Sequence, residues 1–246
     1  MFCSDRYGYK GWILVFKALM YRSIQNKESP MRTGRPRSFC TDTVLDRALT
    51  VFWRHGYEGA SIAELTAAMG INTPSLYAAF GSKEGLFRAV LERYDAKRKS
   101  FMDRVLAGTS AKSVARLFLE GVAEFACDTK GRDPPGCFSV QSGLSCTDQD
   151  IPNALAKYRA HKECLLRERF ERARKEGDLP RSAEPLALAR YLMAVANGMC
   201  VQASAGSSTK ELLATAKLAL AAWPDADEPE SKRRTARSRA TAAARA

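Results

Sequence analysis

The 246-residue sequence predicts an all-α protein, a compact N-terminal trihelical unit followed by a longer helical domain. Three observations carry this. From Thr41 to Trp223 apolar residues recur at helical spacing, and no run alternates as a half-buried strand does. Two Ser-x-x-Glu boxes, Ser61 to Glu64 and Ser208 to Glu211, mark helix starts. Glycines at 56, 70 and 81 divide the early part into short pieces.

Taken in order, Thr41 or Asp42 caps a first helix with Leu45, Ala48, Leu49 and Phe52 on one face, and Gly56 stops it. The capped helix after Ser61 turns Ile62, Leu65 and Met69 inward and ends at Gly70. Thr73-Pro74 opens the next, with proline in the first turn where its missing N–H is harmless. Leu76 and Phe80 form its buried edge, and Gly81-Ser82 breaks and recaps the chain. A fourth helix places Phe87, Val90, Leu91 and Tyr94 on one face, and a charged connector near 96–99 follows. Beyond it, helices are expected at about 111–128, 136–146, 152–177, 185–205 and 209–223, with turns at Asp133-Pro134-Pro135-Gly136 and Gly177 to Pro180. The expected organisation is therefore a flexible leader and basic arm (1–37), a trihelical unit (38–95), a helical domain (96–224) and a disordered tail (225–246).

Composition narrows the function classes. A hydrophobic content of 46% suits a globular protein, and a net charge of +12 directs attention to polyanionic partners. The charge is spread as +3 over residues 1–30, +4 over 31–100, +3 over 101–224 and +2 over 225–246, so local clusters say more than the total. Seven cysteines without a CxxC pair, and two distant histidines (His55, His161), argue against a zinc site or a disulfide framework. Reduced thiols in a cytoplasmic protein, with no metal and no cofactor, are expected. The apolar run 11–20 is too short to span a bilayer and no small-x-small cleavage site follows it. Residues 1–30 are read as an extension or loose leader ahead of an alternative start at Met31. The absence of a phosphate-cradling glycine loop, HExxH and GxSxG argues against an enzyme.

Two short helices joined by Gly70-Ile71-Asn72 suit a helix-turn-helix, the glycine giving the left-handed corner and Ile71 filling the space between helices. An ordinary helical hairpin would share that pattern. Against it, the second helix exposes Thr73, Ser75, Tyr77 and Ala78, small and hydroxyl-bearing residues that can approach base edges in a major groove.

The stretch Ala60-Ser61-Ile62-Ala63-Glu64-Leu65, then Met69 through Phe80, then Gly81-Ser82-Lys83-Glu84, resembles the DNA-binding domain of the TetR family of repressors. Ala48-Leu49, Phe52 and Gly56-Tyr57 match that family's first helix and its exit, so the resemblance covers about residues 35–95. It implies that Thr73, Pro74 and Ser75 touch bases or nearby backbone, that Tyr77 and Lys83 meet phosphates, and that Ser61 binds the DNA backbone. Ala79 departs from the histidine many members carry and removes one polar contact. The alternatives are core packing of Tyr77 on Phe52 and a merely solvated Lys83. Ahead of the first helix, Arg32, Arg35 and Arg37 in Arg32-Thr33-Gly34-Arg35-Pro36-Arg37 read as a minor-groove arm or a plain basic leader.

In the C-terminal half, residues 185–205 are apolar on most sides and need cover on more than one. The resemblance implies that they join 209–223 in an intermolecular four-helix bundle, making a homodimer on a palindromic operator. An internal core helix is the alternative. Phe118, Phe125, Phe138, Tyr158, Met193 and Met199 are candidates to line a cavity for an unidentified small-molecule effector, each equally at home in a plain core. Cys137 at an expected helix start is a candidate oxidant- or electrophile-sensing thiol. A nucleoid-type protein binding DNA without sequence preference is the competing function class.

Overall fold

The computed structural model describes residues 41–128, 133–144 and 150–224. Among them every regular element is helical: α1 (Thr41–Gly59), α2 (Ile62–Met69), α3 (Thr73–Phe80), α4 (Lys83–Leu106), α5 (Ala111–Cys127), α6 (Phe138–Leu144), α7 (Asp150–Lys175), α8 (Pro185–Ser204) and α9 (Thr209–Ala221). The expected stop at Gly56 is a local break, φ 71° and ψ 178°, after which one more turn carries Tyr57 into the core.

The expected connector near 96–99 is instead the middle of α4, which runs unbroken for 24 residues. Ala, Lys and Arg are good helix formers, and the charges there are used between helices. Lys97 lies 3.4 Å from Asp46 of α1, and Asp95 3.3 Å from Lys162 of α7. Just before them, Arg93 grips Asp46 through Nε (3.0 Å) and Nη2 (3.1 Å) and reaches Asp42 through Nη1 (2.8 Å). These contacts tie α1 to α4 beside an apolar seam in which Phe52 and Phe87 meet edge to face at 5.2 Å.

Two hydrophobic clusters divide the molecule. The first gathers Leu45, Ala48, Leu49, Phe52, Leu65, Met69, Leu76, Phe80, Phe87, Val90 and Tyr94, and also Phe138, Ile151, Leu155 and Tyr158 from further along the chain. The second packs α5, α8 and α9 with the later part of α7, burying Phe118, Leu119, Phe170, Leu192, Met199 and Trp223. The division therefore does not follow a cut at 95/96: α6 and the start of α7 insert into the N-terminal core. Phe138 and Met199, expected to line a cavity, are core residues of the first and second cluster, 0% and 1% exposed.

Cys127, Cys137 and Cys200 are free thiols. Cys164 is disulfide-bonded, a departure from the expectation of reduced thiols throughout. No group of three or more potential metal ligands occurs among the described residues. By length and hydropathy only α8, among the described residues, could cross a membrane, yet it is packed on α5, α6, α7 and α9.

Candidate nucleic-acid interface

Local chemistry builds the helix-turn-helix. Ser61 Oγ accepts from the Glu64 N–H (3.1 Å), while the Glu64 carboxylate accepts from the Ser61 N–H (3.0 Å) and hydroxyl (2.8 Å). Those hydrogen bonds hold the Glu64 carboxyl below its ordinary pKa. They also commit the Ser61 hydroxyl, so any backbone contact it makes to DNA competes with its own cap. At the corner Gly70 adopts φ 70° and ψ 33°, a left-handed step that costs a glycine little. Partly buried Ile71 packs against the core as expected.

The start of α3 differs in one detail from the sequence reading. Asn72 is the cap, its Oδ1 accepting from the Ser75 N–H at 2.9 Å, and Thr73-Pro74 form the first turn. Leu76 and Phe80 are buried, so Thr73, Pro74, Ser75, Tyr77 and Ala78 are left facing solvent. Tyr77 is 46% exposed, which rules out packing on Phe52; that place is taken by Tyr57, stacked at 6.1 Å.

Ser82 caps α4 by accepting from the Gly85 N–H at 3.0 Å. Lys83, half-buried beside that cap, is neither freely solvated nor extended. Its ammonium donates to the Glu58 carbonyl (3.3 Å) and lies 4.7 Å from the centre of the Tyr57 ring. A lysine ammonium carries three donors, so this anchoring leaves capacity for an anion. Arg32, Arg35 and Arg37 lie outside the described residues.

Two recesses stand out among the described residues of the helical domain. An open groove of about 850 Å³ runs between α4 and α5, lined by both charges (Lys97, Arg98, Arg104, Glu120, Glu124). Next to it lies a cavity of about 50 Å³, which shares Tyr94, Arg98, Phe101 and Phe125 with the groove. Of the six residues expected to line a cavity, Phe118, Phe125, Tyr158 and Met193 do so. The remaining wall includes Tyr94, Arg98, Cys137, Ser139, Lys162 and Cys200, polar residues from four parts of the chain. Sequence reasoning missed most of these because nothing in their spacing marks them as neighbours. Among them Cys137 had been singled out, as a lone thiol.

Comparison with known proteins agrees with this geometry. The profile described as "Bacterial regulatory proteins, tetR family" matches residues 44–90. The HTH-type transcriptional repressor ComR of Escherichia coli K12 is 37% identical over 201 residues, covering 78% of this chain and 92% of ComR. The HTH-type transcriptional repressor BdcR of the same organism is 30% identical over 187 residues, covering 76% and 90%. Among solved structures, a cysteine mutant of the TetR family transcriptional regulator CifR, complexed with 26-base-pair operator DNA, superposes with a TM-score of 0.71. It shares 43% identity, covering 77% of this chain and 100% of that one. The chain belongs to the TetR family of helix-turn-helix transcriptional regulators and is a sequence-specific DNA-binding protein rather than an enzyme.

Proposed function

We propose that this protein is a cytoplasmic repressor that binds a palindromic operator as a homodimer and releases it when the helical domain meets a small-molecule effector. The observation that carries the reading is α3: eight residues long, anchored by Leu76 and Phe80, with Thr73, Pro74, Ser75 and Tyr77 outward. A helix presenting small polar residues at its start fits a major groove. Thr73, Pro74 and Ser75 read bases or adjacent backbone. Tyr77 and Lys83 meet phosphates, Lys83 at a helix start where free amides and the dipole also favour an anion. Ser61 adds a backbone contact, and the arm with Arg32, Arg35 and Arg37 enters the neighbouring minor groove. The repressor names of ComR and BdcR support the sign of regulation.

Dimerisation is supported by what remains exposed. Of the large apolar side chains exposed among the described residues, Tyr77 lies on α3, and Tyr191, Val201, Leu213 and Leu218 all lie on α8 and α9. An apolar surface concentrated on two adjacent helices suits a second copy of the same pair. Two-fold symmetry doubles the base contacts that a single short helix makes. Effector binding then favours a dimer geometry whose two α3 helices no longer match successive grooves, by as much as the effector prefers that geometry.

Selection of binding sites from random duplexes with the reduced full-length protein tests the reading. A palindromic consensus is expected, with Thr73→Ala and Ser75→Ala shifting the preferred bases. Binding with a steep salt dependence and no enriched sequence would instead indicate a nucleoid-type protein.

A further inference from the structure

The cavity wall contains two free thiols that the chain brings together from 63 positions apart, Cys137 ahead of α6 and Cys200 on α8. A tight turn makes the meeting possible. Gly136 adopts φ +98°, and a Cβ there would lie 2.9 Å from the Cys200 carbonyl oxygen and 3.2 Å from Ser204 Cβ. Its N–H is bonded to the Ala126 carbonyl at 2.7 Å. The backbone before Cys137 is thus pressed against α8 and pinned to α5.

The two thiols are in unlike states. The Cys200 thiol nearby, with the Ser139 and Tyr94 hydroxyls and the Val140 amide, favours a negative Cys137 sulfur enough to outweigh burial and holds Cys137 well below the usual thiol pKa. The Tyr94 and Ser139 hydroxyl oxygens each lie 3.2 Å from Cys137 Sγ. Cys200 is pushed in the opposite direction by its interaction with Cys137, by burial and by the Cys137 charge. One sulfur is therefore a poised nucleophile, and its neighbour keeps the proton that a second step consumes.

Size narrows the partner. A water needs about 10–15 Å³ of such space, so the cavity of about 50 Å³ beside the two thiols admits a molecule the size of a few waters without rearrangement. We propose that Cys137 and Cys200 form a redox-active dithiol that closes to a disulfide when a small hydroperoxide enters this cavity, and that the closure is the signal that releases DNA. The proposal rests on the helical domain being the sensor of a DNA-binding regulator.

The chemistry balances without a further reactant. The Cys137 thiolate attacks the distal peroxide oxygen; the S–O bond forms as the O–O bond breaks. The departing alkoxide or hydroxide takes a proton and leaves as alcohol or water, so sulfur is oxidised to the sulfenic acid and the peroxide is reduced. Cys200 then attacks that sulfur; the S–S bond forms, the S–O bond breaks, and the hydroxyl leaves with the Cys200 proton as water.

The coupling to DNA is the next residue. Phe138 follows Cys137, and its ring lies 5.3 Å from that of Phe87, 5.5 Å from Tyr94 and 6.0 Å from Trp53. Drawing Cys137 to covalent distance of Cys200 pulls on a ring held in the core of the DNA-binding unit.

Full-length reduced protein treated with stoichiometric hydrogen peroxide tests this through two readouts. Peptide mass mapping of the wild type should find Cys137 linked to Cys200, and affinity for a duplex selected by the reduced protein should fall about 10–100-fold, a usual range for allosteric coupling. Dithiothreitol should restore it. Cys137→Ser and Cys200→Ser should hold DNA after peroxide, and Cys127→Ser should respond like wild type. The proposal is overturned if mapping finds only a Cys137 sulfenic or sulfinic acid or an adduct, if the linked protein still binds DNA, or if Cys200→Ser releases DNA as wild type does. Mapping uses unmutated protein, so a misfolded variant leaves the test intact. Failure of the reduced protein to select any duplex would strike the regulator reading, while a missing crosslink strikes only this one.

Discussion

Replacing Phe138 by alanine measures how firmly the later chain is keyed into the DNA-binding unit. The side chain is 0% exposed and three aromatic rings surround it. A buried phenylalanine removes at least about 150 Å² from water, which at about 25 cal/mol/Å² is roughly 4 kcal/mol. That figure is an upper estimate, because the unfolded chain already covers some of the ring. Mutational series in which the cavity only partly collapses give about 3–5 kcal/mol for such a change. A loss of about 3–4 kcal/mol is expected, and at roughly 2–4 °C per kcal/mol for a chain this size, Tm falls by roughly 6–16 °C. Phe138→Leu, which keeps most of the volume, should cost well under half as much. The assay is thermal unfolding followed by circular dichroism in reducing buffer, at one protein concentration because the proposed dimerisation would link Tm to concentration. A loss below about 1 kcal/mol in the alanine variant, the range of surface substitutions and mild changes, would show that the ring does not occupy this core.

Other perturbations address the remaining parts. Lys83→Ala should weaken binding to all duplexes alike and lower the log–log salt slope by about 1; a shift in base preference instead would contradict a phosphate role. Leu218 is 75% exposed on α9, and Leu218→Glu should weaken the proposed dimer at least tenfold, about 1.4 kcal/mol, as read by sedimentation equilibrium, with helicity unchanged. The Asp46 carboxyl is raised by partial burial, but the Arg93 hydrogen bond and the Lys97 and Arg93 charges outweigh that and leave it below 3.8. A depressed folded-state pKa contributes stability above the unfolded value that is lost as pH falls through the folded one. Asp46→Asn should therefore lower the urea midpoint evenly from pH 5 to 8, by on the order of 1 kcal/mol given the partial exposure. The gap should close as pH drops below 3.8.

Much of the DNA-binding unit was legible because its signals are local. Ser61 with Glu64, the glycine at 70, and Leu76 with Phe80 each act within one or two turns, so spacing alone identified them. The Asn72 cap was missed because Thr73 offers an equally good capping oxygen one residue later. Residues 96–99 were misread because a charge run looks the same in a linker and in a helix whose partners lie on other helices; the pairings Asp46–Lys97 and Asp95–Lys162 span distances that periodicity does not sample. The cavity was half legible for the same reason. Phe118, Phe125, Tyr158 and Met193 were found by type. Phe138 is identical in type but is held by Trp53 and Phe87, which only the tertiary arrangement reveals. The pairing of Cys137 with Cys200 depends on how the Gly136 turn sits on α8, which spacing does not encode.

The unbroken course of α4 has a mechanical consequence. Lys83 stands at one end, and Arg98, Phe101 and Met102, which wall the cavity, lie toward the other. At 1.5 Å per residue the 24-residue helix is a rod of about 36 Å, and pivoting it by about 5° swings the far tip roughly 3 Å. A charge-assisted hydrogen bond to an oxygen fails well short of that travel. On the proposed reading, a small pivot at the cavity end would carry through to Lys83 as a stroke large enough to unseat a phosphate contact, with no break in the helix between to absorb it.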